Sequence, residues 1–206
     1  MLLQQNFCSP AGDANPMGIL DFLKPQDKSP SVHAAYLSIV KQARRPEFYK
    51  TGGAPDDFDG RFDMMALHLH LLLRRLRALG MGRSTISQDV FDMFFKDMDQ
   101  AMREAGVGDM GVGKKVQKMV EAFYGRATAY DTAFDADTTH VPAAIRNVLA
   151  RNLHPENEPS PAQNAGLDGL TDYTLALEAH LGGVALDDLL AGNSFQGAPQ
   201  LEVVDG

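Results

Sequence analysis

Asp59-Gly60-Arg61-Phe62-Asp63-Met64-Met65-Ala66-Leu67-His68-Leu69-His70-Leu71-Leu72-Leu73-Arg74-Arg75-Leu76-Arg77 decides the fold class of this 206-residue chain. Phe62, Met65, Ala66, Leu69, Leu72, Leu73 and Leu76 recur at offsets of three and four, which is the spacing of one helical face. Asp59 is read as the N-cap, Gly80 as the stop, and Arg74, Arg75 and Arg77 stand near the negative end of the helix dipole. Met64, Leu67 and Leu71 give a second apolar side, so the helix is expected to run through the centre of a bundle. The uninterrupted run Met64 to Leu73 is about half the roughly 20 residues that a membrane span needs, and it carries two histidines.

Outward from this helix the pattern remains helical. Ser29 before Pro30 reads as an N-cap with proline at the first helical position, followed by Val32, Ala35, Tyr36, Ile39, Val40 and Ala43; Pro46 ends that helix by Arg45. Thr85 with Gln88 reads as a capping box ahead of Ile86, Val90, Phe94, Met98 and Ala101, closed by Gly106. A long helix is predicted from about Gly111 to Phe134. It must tolerate Gly125 at a cost of about 1 kcal/mol relative to alanine, which suggests close approach by a neighbouring backbone. Val141 to Arg151 and Leu167 to Leu181 make two more helices, with Pro155, Pro159 and Pro161 read as a connection between them, and Val184 to Leu190 adds a turn or two. No strand-like alternation of useful length occurs. The expectation is an all-α, irregular or orthogonal bundle of about six helices without a sheet, with residues 1–29 an N-terminal extension, 30–192 a single domain and 193–206 an acidic tail.

Composition narrows the function classes. The lone Cys8 has no partner in the chain, which excludes an intrachain disulfide framework and a cysteine zinc site and suits a reducing compartment. The net charge of −8 is unevenly spread: residues 1–126 hold 17 Lys and Arg against 15 Asp and Glu, and residues 127–206 hold 2 against 12. The front half could therefore meet an acidic partner that the back half would repel. Neither a secretory signal nor an Arg-rich transit peptide is read at the N-terminus, where Asp13 is the first charge, so a cytoplasmic location is expected, peripheral at most to the inner face of a membrane.

Two blocks are too irregular to follow from helix patterning. The first is Phe48-Tyr49-Lys50-Thr51-Gly52-Gly53-Ala54-Pro55-Asp56 running into Gly60-Arg61-Phe62-Asp63 and on to Leu67-His68. The second is Asp109-Met110-Gly111-Val112-Gly113-Lys114-Lys115-Val116, then Phe123-Tyr124-Gly125-Arg126 and Tyr130. In order and spacing they resemble the ubiquinol-cytochrome c chaperone family. The resemblance covers about residues 39–135 and fades towards 195, and Ala54 stands where a larger aliphatic residue is more usual.

That resemblance implies a non-enzymatic assembly chaperone for the cytochrome bc complex (complex III), attending newly made cytochrome b, apo or partly haem-loaded, in a bacterial setting. The site residues it carries over are Phe48, Tyr49, Pro55, Asp56, Gly60, Arg61, Phe62, Asp63, Leu67, His68, Gly113, Lys114, Phe123, Tyr124, Gly125, Arg126 and Tyr130. It leaves room for a small protein partner, and by analogy with mitochondrial relatives for contact with a ribosome.

The residues themselves carry no recognisable catalytic spacing. Gly111-Val112-Gly113-Lys114 lacks the hydroxyl residue and the preceding strand of a phosphate loop. His68 and His70 diverge by about 200° around a helix and cannot share one metal ion from the same face. One of them could face a methionine across a haem, which makes a haem-handling protein the alternative; a hydrogen-bonded core histidine is the simpler account. A generic helical interaction module is the other alternative. No cofactor or metal is expected. Asp56, Asp57, Asp59 and Asp63 cluster at a helix start, where capping explains them.

Three basic groups, Lys41 with Arg44, Arg45 and Lys50, Arg74 with Arg75, Arg77 and Arg83, and Lys114 with Lys115 and Lys118, could meet RNA or anionic lipid if the fold joins two of them. Specific DNA binding is not expected. Phe48 and Tyr49 are expected to pack back onto the helix of Phe62 and Leu69. Arg126 either meets a partner or anchors a buried carboxylate such as Asp63. Phe91, Met93, Phe94, Phe95 and Met98 surround most of their helix and are expected to contribute to an exposed client groove.

Overall fold

The computed structural model describes residues 29–50, 53–156 and 158–201. The expected extension lies, apart from Ser29, outside the described residues, and so does Cys8. Eight helical elements are present: α1 (Pro30–Ala43), α2 (Glu47–Lys50), α3 (Phe58–Ala78), α4 (Thr85–Glu104), α5 (Asp109–Phe134), α6 (Val141–Leu153), α7 (Pro161–Gly183) and α8 (Leu186–Leu190). The chain is all-α, with no strand among the described residues.

The central helix is the one the sequence singles out. Every residue of α3 from Phe62 to Leu73 is buried, because α3 touches α1, α4, α5, α6 and α7. Around it α1 meets α4, α4 meets α5, α5 meets α6, α6 meets α7, and α8 returns to α1. A helix apolar on all sides is stable in water only when such a ring removes all of its faces from solvent.

Helix starts follow capping chemistry, with three corrections. Ser29 caps α1 by accepting from the Val32 N–H at 3.3 Å, as its sequence predicts. The cap of α3 is Asp57, whose Oδ1 accepts from the Gly60 N–H at 2.8 Å; the expected Asp59 lies two residues on, within the first turn. Likewise Ser84, and not Thr85, caps α4 through the Ser87 N–H at 3.2 Å, while the Gln88 amide reaches forward to Asp92 at 2.7 Å. Thirdly, α7 begins at Pro161: Ser160 and Gln163 form a capping box and proline takes the first turn, so residues read as connection are helix.

Two glycines differ in what they do. A Cβ on Gly60 would sit 2.1 Å from the Pro55 carbonyl oxygen, so the corner between α2 and α3 closes only with glycine there. A Cβ on Gly125 would meet nothing within 4 Å. The close helix approach expected there is absent, and the glycine is exposed on the outer side of α5. Packing also runs past residue 193, where a tail was expected: Ser194 and Leu201 are buried, and Phe195 lies against His68.

Candidate partner-binding site

The carried-over residues divide into an inner and an outer set. The inner set begins with a network joining four elements. Gln42 of α1 donates through Nε2 to the Tyr173 hydroxyl of α7 at 2.9 Å, and that hydroxyl lies 2.6 Å from His68 Nε2. His68 Nδ1 lies 2.7 Å from the Met64 carbonyl, which only accepts, so Nδ1 carries the proton and Nε2 accepts from Tyr173. Burial holds His68 down at about 4, so the ring is neutral. Phe48 of α2 is buried on this network, 5.5 Å from the His68 ring and 4.8 Å from Tyr173. It therefore packs on α3 as expected, with His68 as its aromatic partner there. With both nitrogens engaged and the ring wholly buried, His68 is a core histidine, and iron ligation would require breaking the network.

Asp63 and Arg126 form the second inner feature. The Arg126 Nε donates to Asp63 Oδ1 in a short ion pair across α3 and α5, and the guanidinium lies 5.3 Å above the Phe62 ring. Burial pushes Asp63 up to about 6, Arg126 pulls it back, and the Asp59 and Asp57 carboxylates push it further up. Arg126 thus anchors a buried carboxylate. Tyr130, one turn on, is buried and stacks on His70 at 5.7 Å. Phe123 and Leu67 are also core residues.

His70 contrasts with His68. Its ring is buried, neither nitrogen makes a hydrogen bond, and Nε2 stands 3.4 Å from Asp131. Burial holds it down at about 4, with Asp131 pulling upward and Arg77 and Arg74 downward. Asp131 is engaged by Arg74 at 2.8 Å and Arg77 at 2.9 Å. Arg74 also reaches Asp135 and Glu178, and Arg75 donates twice to the Val184 carbonyl, at 3.0 and 2.7 Å. These three arginines of the second basic group are thus turned onto neighbouring helices and do not join another group as an outward patch.

The outer set lies at the start of α3. Arg61 pairs with Asp56 at 2.6 Å, with both side chains more than half exposed, and lies 5.4 Å from the half-buried Tyr49 ring. The Tyr49 hydroxyl donates to the Ala43 carbonyl at 2.8 Å, and burial pushes it up to about 12. Phe58, which the resemblance did not carry over, is the first residue of α3 and is 46% exposed, one of two large apolar side chains so exposed among the described residues. The only signal for it in the sequence was an aromatic between Asp57 and Asp59, off the inward face of α3. Lys114 is exposed in the first turns of α5, with Lys115 and Lys118. Gly113 lies in that helix, and the Gly111 and Val112 amides bond to the Gly108 carbonyl at 2.8 and 3.2 Å, so these two are not free to cradle a phosphate.

The expected groove on α4 is overturned. Phe91, Phe94, Phe95 and Met98 are buried and Met93 is half-buried. Their apolar character on several sides follows from the position of α4 between α1, α3 and α5. Phe94 stacks on Phe62 at 5.7 Å, and Phe91 meets both Phe123 at 5.4 Å and Tyr124 at 5.6 Å.

The model of the ubiquinol-cytochrome C chaperone family matches residues 50–195. Ubiquinol-cytochrome c reductase complex assembly factor 1 of Mus musculus is 25% identical over 167 residues, 81% of this chain and 54% of that protein. Its Homo sapiens counterpart is 26% identical over 110 residues, 53% of this chain and 37% of that protein. The chain thus spans about half the length of the curated relatives, or less. The crystal structure of the Cbp3 homolog from Brucella abortus superposes with a TM-score of 0.66 at 35% identity, covering 79% of this chain and 86% of that one.

Proposed function

This chain belongs to the ubiquinol-cytochrome C chaperone family, and from that membership we propose that it is a non-enzymatic chaperone in the assembly of ubiquinol-cytochrome c reductase, holding newly made cytochrome b. The observation that carries this reading is the family match across residues 50–195, supported by assembly-factor relatives in vertebrates. The chaperone works by occupancy at the cytoplasmic face of the membrane that receives its client. Among the described residues no helix is long and apolar enough to cross a membrane, so on this reading the client brings the chaperone to the bilayer.

Client contact on this reading includes the outer set. Arg61 with Tyr49 and Asp56, and the exposed Phe58 at the start of the same helix, form this corner, in which tyrosine and arginine are residue types that often carry binding energy at protein interfaces. Phe48, Phe62, Asp63, Leu67, His68, Phe123, Arg126 and Tyr130 hold that corner in shape from inside. Deleting the gene for this chain and measuring quinol–cytochrome c reductase activity and cytochrome b recovered with a tagged copy tests the reading. Loss of activity on deletion and co-purification of cytochrome b are expected; normal reductase levels in the deletion strain would sink the proposal.

A further inference from the structure

Residues 194–201 follow α8 as a strap laid over the seam of α1, α3 and α7. Phe195 stands edge-on to His68 of α3, with ring centroids 5.7 Å apart. Leu201 is buried with its Cδ1 beside Gly169 of α7. At the root of the strap, Gly192 lies so close to Ala34 of α1 that a Cβ on it would be 2.7 Å from the Ala34 carbonyl oxygen.

The strap is anchored by side chains more than by its backbone. The Gln196 and Ala198 amides bond back to Asn193 and Phe195, inside the same stretch. The tie to α7 is His180 Nε2 to the Ser194 carbonyl at 3.3 Å. Ser194 Oγ is buried without a hydrogen-bond partner, which is a cost that docking the strap incurs and releasing it removes. A cavity of about 380 Å³ lined by His180, Gly183, Val184, Asp188, Asn193 and Gln196 opens at the same place. Gly192 and Gly197 hold left-handed φ of 79° and 71°, and a glycine there can leave that conformation at little cost. Segments joined to a fold by few backbone bonds open at lower free energy than its helices do.

We propose that this strap is a displaceable occupant of a client-binding groove, and that an apolar client segment bearing an aromatic side chain and, six residues on, an aliphatic one takes its place. The strap itself shows what the groove accepts: Phe195, Ala198 and Leu201 at successive three-residue steps, ending at a glycine of α7 with room for the aliphatic tip. The groove walls are helices that keep their own hydrogen bonds when it lifts. A tethered competitor is present at high effective concentration, so it weakens the grip on the client by the fraction of time it occupies the groove. That gives a holding protein a built-in means of release. The inference rests on the chaperone reading for the identity of the occupant, and on the geometry alone for the groove.

The test uses full-length chain and a fluorescent peptide copying residues 193–201 as probe, with no client present. The Phe195→Ala/Leu201→Ala protein is expected to bind the peptide about tenfold tighter than the parent, and adding Gly169→Leu, which fills the groove, to abolish the gain. A double variant with an unchanged melt and no gain in affinity overturns the proposal. Opening is read independently in a Cys8→Ser background, where a thiol-reactive dye should label Ser194→Cys about a hundredfold faster than Thr174→Cys, both positions being wholly buried. Equal rates overturn it as well. Because neither measurement involves complex III, a negative here beside a positive deletion phenotype removes the groove and leaves the chaperone reading standing.

Discussion

His68 and His70 lie two residues apart on the same buried helix and face different solutions to one problem. On the α7 side, His68 sits in a network in which each ring nitrogen has a partner and Tyr173 and Gln42 complete the chain. On the α5 side, His70 has no hydrogen bond, and the polar work is done by Asp131 with Arg74 and Arg77, and further along by Asp63 with Arg126. The α7 side is specified by directional bonds between neutral groups. The α5 side is specified by charge, which tolerates imperfect geometry but punishes the loss of a partner.

The largest break is expected on the charged side. Arg126→Ala leaves Asp63 buried without its counter-charge, and a loss of about 3–5 kcal/mol is expected in denaturant melts at pH 8. The loss should be smaller at pH 5, because Asp63, already pushed up to about 6, can then take a proton. An equal loss at both values would mean that the carboxylate reaches water.

Acid comes next. Both histidines are held at about 4 in the fold against about 6.5 in the unfolded chain. Between those values the unfolded chain binds more protons, so their contribution is complete above pH 6.5 and is lost as pH falls through about 4, at roughly 3 kcal/mol for each ring. The raised Asp63 acts oppositely: its contribution is complete below about 3.9 and is lost as pH rises through about 6. The Asp63 gain offsets about one ring's loss, so stability of the parent should fall on acidification from 6.5 by about the contribution of one histidine, and His70→Phe should flatten most of that limb.

At neutral pH the same substitution separates the two sides. His68→Phe leaves the Tyr173 hydroxyl proton without its acceptor and should cost about 1–3 kcal/mol, whereas His70→Phe should stay within about 1 kcal/mol of the parent, since no hydrogen bond is lost. Matching melts for both would erase the distinction. The smallest stability effect is expected for Arg61→Ala, below about 1 kcal/mol for an exposed ion pair. If the outer corner holds client, that variant should nevertheless lower recovered reductase activity.

How far these features could be read in the sequence depended on whether one element sufficed to define them. The burial of α3 on all sides and the Ser29 cap follow from periodicity and capping chemistry within one segment, and the pairing of Arg126 with Asp63 was one of two alternatives the motif allowed. The caps at Asp57 and Ser84 were misplaced because Asp59 and Thr85 offer the same chemistry within two residues, and backbone geometry decides between them. The aromatics of α4 look like surplus until α1, α3 and α5 are all in place around it. Gly125 looks like a packing glycine until the space beside it is found open. Phe58 and the strap were invisible for the same reason: exposure, and the covering of one segment by another distant in sequence, are properties of the assembled ring.

The order of that ring along the chain has a consequence for biosynthesis. The apolar central helix is complete by Ala78, but the element that closes the ring ends at Leu190. At translation rates of about 5–20 residues per second, the intervening stretch takes roughly 6–22 s to emerge. For that interval the nascent chain carries a Leu- and Met-rich helix with its last wall unbuilt.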